Sequence, residues 1–299
     1  MQIKKKKGKM KGEIVALKSI ASYANMGDMF VNARLALYEM CILPSLLYDL
    51  ESWTRQSKGE IKKLEQIQAE SLCTLLELPK STPYIGLLCE LGIWRIEERL
   101  MYRKMMYYNN LTNSDERRLA KRIVEEQHAE EDIADIEGSF YGTVAGMANV
   151  LGVSVKELRT LPKNQLKKLI KTKLNERMTR VVACALPKMR KMRFLQSENF
   201  QRKKYVVDLK GYDSIKALRM KLNMVPVYGN YHGDINMRRL CPYCEEEDDT
   251  SEHLLDCKIL DSVVTSADVH NDNNIEIWKQ ILEVMTFNLE HRLHKPKLK

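Results

Sequence analysis

The densest chemistry in this sequence lies near its end. Cys241-Pro-Tyr-Cys244 is followed by eight residues, His253, three more residues and Cys257, a C-x2-C-x8-H-x3-C pattern. Two thiolates two residues apart can grip one metal ion from a tight turn. His253 and Cys257 are four apart, about one helical turn, so both can face the same ion. Four soft or borderline ligands that leave no open position suit a structural tetrahedral Zn²⁺ better than a catalytic one. The stretch Glu245 to Ser251 is acidic and polar, as an exposed loop should be, and Leu254 and Leu255 can pack beneath the site. A bare CxxC is also the pattern of a redox pair, but that reading needs a βαβ context that the surrounding sequence lacks.

The remaining candidates carry weaker signals. Cys41, Cys73, Cys89 and Cys184 sit singly among apolar residues and are expected to be buried thiols. His128, His270, His291 and His294 have no companion pattern, and His232 is at best a reserve ligand. There is no Gly-rich phosphate loop, no G-x-S-x-G and no H-E-x-x-H. Glu130-Glu131-Asp132 and Asp248-Asp249 offer carboxylates for Mg²⁺, but runs like these usually form solvated faces. A metal-dependent nuclease would need carboxylates converging from separate elements.

Charge is the second signal. The net charge is +9, and it is unevenly spread. Residues 156–221 hold 20 Lys/Arg against Glu157, Glu176, Glu198, Asp208 and Asp213, a net of +15, and residues 4–11 add six lysines. A block of that size suits a polyanion, most simply the backbone of RNA or DNA. The candidate contacts are Lys167, Lys168, Lys171, Lys188, Arg190, Lys191, Arg193, Arg202, Lys203, Lys204 and Arg219. Tyr243 beside the metal ligands can either stack on a base or pack against its own loop. The alternative is a helical protein-interaction scaffold, its basic face balanced by the acidic stretches Asp132–Glu137 and Glu245–Asp249.

These residues need elements to hold them. Sparse Gly (13) and Pro (8) with abundant Lys, Glu, Leu and Met predict a mainly α fold: irregular helical regions, a small CCHC knuckle and a C-terminal helix. Met29 to Leu43 predicts a helix that Pro44 kinks or ends. Ile61, Leu64, Ile67, Leu72, Leu75 and Leu76 recur at helical steps up to Leu78-Pro79. Thr82 and Pro83 then open a helix that Gly92 closes, and Trp94 to Tyr108 forms another. Glu116–Glu130 reads as helical. Ser154-Val-Lys-Glu157 is a capping box. A long helix is predicted from Asn164 to Leu186, with Leu166, Ile170, Leu174 and Met178 stepping by four, although Lys173 and Arg177 crowd the stripe. Ile277, Ile281, Val284 and Met285 mark a helix over 275–293. The expected division is a basic arm (1–12), a helical region (13–110), a basic helical linker (111–234), the knuckle (235–262) and a helical tail (263–299).

No apolar run approaches the ~18 residues of a membrane span. The most apolar stretch, Leu35 to Leu50, contains Glu39, Pro44 and Asp49. The opening MQIKKKKGKMKGE has no apolar segment behind it, so no secretory signal is read. The lysines there suit a nuclear localisation signal or a phosphate-contacting tail. The expected setting is a reducing nuclear or cytoplasmic one, in which seven cysteines are not a disulfide framework.

Several segments together resemble a known family. Ile42-Leu-Pro44-Ser-Leu-Leu47-Tyr48-Asp49-Leu-Glu51-Ser-Trp53 is similar to the "ilP-x-LlYg-x-E-x-W" segment that follows the palm in non-LTR (LINE-type) retrotransposon reverse transcriptases. Leu64-Glu-Gln-Ile-Gln68, Leu78-Pro79-Lys-Ser-Thr82-Pro83 and Leu88-Cys-Glu90-Leu-Gly92 resemble that family's "L-x-x-iQ", "lPkstP" and "ll-x-E-x-G" positions in the thumb region. Leu218-Arg219-Met-Lys221-Leu222-Asn223-Met224-Val225-Pro226 resembles the "lRlrlG-lp" segment leading into the CCHC knuckle. The order of the landmarks also agrees, over roughly residues 13–100 and 215–260. Asp49-Leu50 departs from the family, which has Gly plus a small residue there. The palm's Y/F-x-D-D motif is absent from this sequence. The resemblance implies the C-terminal portion of such an RNA-directed DNA polymerase, inactive in polymerisation alone. It also implies structural Zn²⁺ and RNA or DNA as partners, with the missing polymerase domain or another element-encoded protein as a further one. Some of these elements carry a nuclease after the knuckle. The 42 residues after Cys257 are too few for that domain and hold no P-D…D/E-x-K pattern.

Overall fold

The computed structural model describes residues 8, 12, 15, 16, 31–52, 56–129, 138–189, 192, 194, 195, 200–227, 240–260 and 262–294, with side chains to 290. In chain order the helices are α1 (Val31–Leu37), α2 (Leu43–Leu47), α3 (Lys58–Leu75), α4 (Tyr84–Leu91), α5 (Ile96–Thr112), α6 (Leu119–Ala129), α7 (Phe140–Leu151), α8 (Val155–Thr160), α9 (Lys163–Ala185), α10 (Lys204–Asp208), α11 (Gly211–Lys221), α12 (His253–Asp256) and α13 (Ile275–His294). The fold is mainly α, as its composition predicts. The described residues hold no strand, only an isolated antiparallel bridge between Leu240 and Asp248. No described helix is long and apolar enough to cross a membrane.

The chain divides into two compact units. Unit 1 comprises 1–13, 39–71 and 94–181; unit 2 comprises 14–38, 72–93 and 182–299.

In unit 1, α5 packs against α6, α7 and α8. Its face Leu100, Met101, Met105 and Tyr108 is buried with Val144, Ala148 and Leu158. The Ser154–Glu157 box forms as expected: Glu157 N donates to Ser154 Oγ, and Ser154 N to Glu157 Oε2. Leu166, Ile170, Leu174 and Met178 of α9 are all fully buried. Steps of four overshoot a 3.6-residue turn by about 40° each, so this stripe winds around the helix. That winding brings Arg177 beside it. Arg177 Nε and NH2 reach Glu98 Oε1 and Glu97 Oε1, both at 3.0 Å. Arg95 holds the other side of the fully buried Glu98, at 2.6 and 2.9 Å.

In unit 2, α10 and α11 pack against each other, and each packs against α1 and α13. Tyr205 of α10 stacks on Trp278 of α13, both fully buried, with ring centroids 4.7 Å apart. Gly92 ends α4 at φ 61, in the left-handed region that glycine adopts without strain. A Cβ there would lie 2.4 Å from Arg202 N, so the residue also admits the passing strand of backbone. Next to it, Lys203 N donates to Glu90 O and Arg202 Nε to Leu91 O.

The structure corrects several expectations. The predicted helix over 29–43 does not end at Pro44: from Val31 the backbone stays helical to Leu47. A wide π-type turn at Tyr38–Ile42 joins α1 to α2 and distorts the helix just ahead of Pro44, which sits in the first turn of α2. That turn carries Glu39, Met40 and Cys41 outward, so Cys41 is exposed rather than buried. Cys184 is also exposed, on the solvent side of the last turn of α9, whereas Cys73 and Cys89 are buried as expected. Thr82 does not cap α4: its Oγ1 donates to Pro79 O, and Pro83 takes the cap position. In α13 the buried face is Trp278, Ile281, Leu282 and Met285, one step around from the predicted one, because Trp278 fills the core and turns Ile277 and Val284 to its margin.

Candidate metal centre

The loop from Leu240 to Asp248 closes on itself. Cys241 N donates to Glu247 O at 2.7 Å, and Glu245 N donates to Cys241 O at 2.9 Å. Glu245 completes the reversal at φ 59. Tyr243 N points at Cys241 Sγ, 3.5 Å away. This turn sets the thiols of Cys241 and Cys244 on one side. The single turn α12 supplies the rest: Leu254 N donates to Thr250 O and His253 N to Thr250 Oγ1, which aims the imidazole back at the loop.

The result is a cluster. The ligand atoms of Cys241, Cys244, His253 and Cys257 all lie within 4.8 Å of one another. Cys241 Sγ and Cys257 Sγ are 3.9 Å apart, and Cys244 Sγ is 3.2 Å from His253 Nε2. Cys241, His253 and Cys257 are buried and Cys244 half-buried, so these four side chains could hold a metal ion shielded from water. Leu254 and Leu255 pack beneath, as expected. Burial pushes the Cys241 thiol up to about 11, while N–H donors of Glu246 and Glu247 pull Cys244 down to about 7. The cluster therefore already contains one thiol readily ionised near neutral pH.

Three supporting contacts were not singled out by sequence reasoning. His253 Nδ1 lies 3.0 Å from Glu247 Oε2, which fixes the ring with Nε2 toward the thiols. Ser251 Oγ donates to Asn223 Oδ1 at 2.5 Å, tying the loop to the end of α11. Asn288 of α13 donates from Nδ2 to Leu254 O at 3.0 Å. Glu247 is one of three consecutive glutamates, and nothing in the sequence distinguishes it from Glu245 or Glu246.

The proposed polyanion contacts fall into distinct groups. Lys167, Lys168 and Lys171 are exposed on α9 in unit 1, beside Lys163. Lys188 and Lys204 are exposed in unit 2. Arg202, Lys203 and Arg219 are turned inward. Arg202 NH1 donates to Asn32 Oδ1, Lys203 pairs with Asp272 at 3.0 Å, and Arg219 NH2 donates to Glu77 O. Lys221, also in the basic block, is fully buried against the same Asp272. Tyr243 donates its hydroxyl to Asn288 O. Arg190, Lys191, Arg193, His232 and the run 130–137 lie outside the described residues.

Comparison with known proteins finds no matching family model, curated protein or solved structure.

Proposed function

We propose that this chain binds the sugar-phosphate backbone of RNA or DNA through the lysine face of α9, and that the Cys/His cluster holds a structural Zn²⁺. One observation carries the binding reading. Lys163, Lys167 and Lys171 form a row at four-residue steps along α9, about 6 Å apart along the axis. All three are exposed, as is Lys168, and none has an ion-pair partner among the described residues. In the same basic block Arg177, Lys203 and Lys221 are instead used internally, while Lys188 and Lys204 are exposed in unit 2. A row of ammonium groups left in water suits phosphate neutralisation, with affinity that is salt-dependent and mostly sequence-independent.

The zinc reading follows from the donor set. A tetrahedral ion with Zn–S bonds of about 2.3 Å separates two thiolates by roughly 3.8 Å. The Cys241–Cys257 separation of 3.9 Å fits that edge. Cys241, Cys244 and Cys257 as thiolates and His253 through Nε2 would hold the ion, and with four positions filled it would serve folding rather than reaction.

We further infer descent from a non-LTR reverse transcriptase. In the segments that carry the resemblance, the family has glycine where this chain has Asp49 and Asn223. Both adopt left-handed backbone, at φ 60 and 54. Asp and Asn are the non-glycine residues best suited to that conformation. Glu90 and Gly92 of the "E-x-G" segment are likewise built into the packing of unit 2, Glu90 accepting the Tyr205 hydroxyl. These 299 residues hold no Y/F-x-D-D motif, and their part in such a protein would be to bind template or primer.

The test is fluorescence anisotropy of the zinc-loaded chain with a structured RNA and with a DNA duplex across a salt series. Binding that weakens steeply with salt, and a slope reduced in a Lys163→Glu/Lys167→Glu/Lys171→Glu variant, is the expected result. Absence of binding at low salt would overturn the reading. Zinc is tested separately, by metal analysis and chelator competition.

A further inference from the structure

The charge of the metal-centre region runs opposite to that of α9. Residues 240–290 hold thirteen carboxylates against two lysines, Lys258 and Lys279. This part of unit 2 is strongly acidic. It nevertheless presents an apolar face. A groove of about 260 Å³ opens between the turn after Cys257 and α13, lined by Leu260, Ser262, Val263, Val284 and Phe287, with Glu283 at its edge. Val263 is 88% exposed and Phe287 56% exposed. Isolated exposed apolar groups are ordinary, but here two of them border one concavity.

The placement of Phe287 is informative. It stands on the solvent face of α13, with exposed Glu283 one turn before it and exposed Glu290 one turn after. On a helix, residues three and four apart are neighbours, so the ring is bracketed by carboxylates on both sides. Neither glutamate has an ion-pair partner among the described residues. An apolar anchor and flanking negative charge together describe a peptide site and the sign of its ligand.

We propose that this groove docks a basic amphipathic segment of a protein partner. Its apolar side chains would cover Val263 and Phe287, and its Lys or Arg residues would meet Glu283 and Glu290. The groove residues differ from the α9 lysines, and the proposal does not depend on the nucleic-acid reading.

The probe is a fluorescent peptide of about 16 residues made of Leu and Lys, with leucines at helical spacing. Its controls are the same composition with leucines scattered and a Leu/Glu counterpart. Titration uses the full zinc-loaded chain at about 0.15 M salt. The amphipathic Leu/Lys peptide is expected to saturate, with both controls at least about tenfold weaker, a difference of ~1.4 kcal/mol. Val263→Asp and Phe287→Asp should each weaken it about tenfold at unchanged helicity; both side chains are solvent-facing, and either variant alone suffices as the test. Glu283→Lys/Glu290→Lys should weaken it severalfold. Equal binding of the scattered peptide, or indifference to all three variants, would overturn the proposal, leaving only general charge attraction. Displacement of the peptide by RNA would also overturn it, as would concentration-dependent self-association abolished by Val263→Asp.

Discussion

Glu247 Oε2 holds His253 Nδ1 at 3.0 Å, and this one contact decides which imidazole nitrogen faces the thiols. The carboxylate side chain is 65% exposed while the imidazole is 7% exposed, so the bond reaches from the surface into the site. A carboxylate behind a ligating histidine fixes its tautomer and raises its basicity. Glu247→Ala should therefore weaken metal affinity about 10- to 100-fold with the four ligands intact. Chelator competition measures this. The neighbouring Glu246→Ala is the control and should leave affinity unchanged.

Tyr243 distinguishes two roles by substitution. Its hydroxyl donates to Asn288 O on α13, and Asn288 Nδ2 returns to Leu254 O, so the pair braces the metal loop against the terminal helix. Tyr243→Phe removes the hydroxyl but keeps the ring. The expected result is a loss of about 0.5–1.5 kcal/mol in thermal or denaturant unfolding, with RNA affinity unchanged. Loss of affinity without loss of stability would instead assign Tyr243 to base contact.

Gly92→Ala should be among the most damaging single-methyl additions in unit 2. It combines left-handed backbone at φ 61 with a Cβ placed 2.4 Å from Arg202 N, a backbone atom. Conformational strain accounts for about 1 kcal/mol, and displacement of the 201–202 segment adds more, for an expected total of about 2–4 kcal/mol. Denaturant unfolding reads it. Gly146→Ala, which meets open space within α7, should be neutral or stabilising by up to about 1 kcal/mol.

These residues show where sequence was a sufficient guide and where it was not. Helices α3, α5, α9 and α13, the Ser154 capping box and the Gly92 terminus are written in local spacing, and so is the four-residue metal set. Local spacing does not say which face of α13 a tryptophan will claim, or that Pro44 will be answered by a wide turn upstream. It also cannot divide the basic block. Arg177 and Lys167 look alike in sequence, yet only the fold brings Glu97 and Glu98, about 80 residues away, to Arg177. Lys203 and Lys221 are drawn inward for the same reason, by Asp272 from a distant turn.

That division is testable. Arg177→Ala removes one of the two arginines on the buried Glu98. It should cost about 1–3 kcal/mol of stability, less than an entirely unpaired buried charge because Arg95 remains, and leave RNA affinity nearly unchanged. Lys167→Glu/Lys171→Glu on the exposed row should do the reverse: stability within about 0.5 kcal/mol, affinity lowered, and a shallower salt dependence. Equal effects of both changes on binding would dissolve the distinction between structural and interacting basic residues.

A last consequence concerns pH. Lys104 lies within α5 at zero exposure, and burial pulls its ammonium from 10.5 down to about 8. Below pH 8 the group is charged whether folded or unfolded, and the folded state bears the cost of a buried cation. Above 10.5 it is neutral in both, and the cost is gone. The contribution of Lys104 to stability is therefore present above its unfolded pKa and lost as pH falls through about 8. Unit 1 should become harder to unfold as pH rises from 8 toward 10.5, through this group by at most a few kcal/mol. Lys104→Met, of similar length and no charge, should raise stability at pH 7 by about 1–3 kcal/mol and flatten that rise. Denaturant midpoints of the two chains at pH 7, 8.5 and 10 measure the difference, which should shrink toward zero at the highest value. A difference that stays constant with pH would place the ammonium outside the cost of burial.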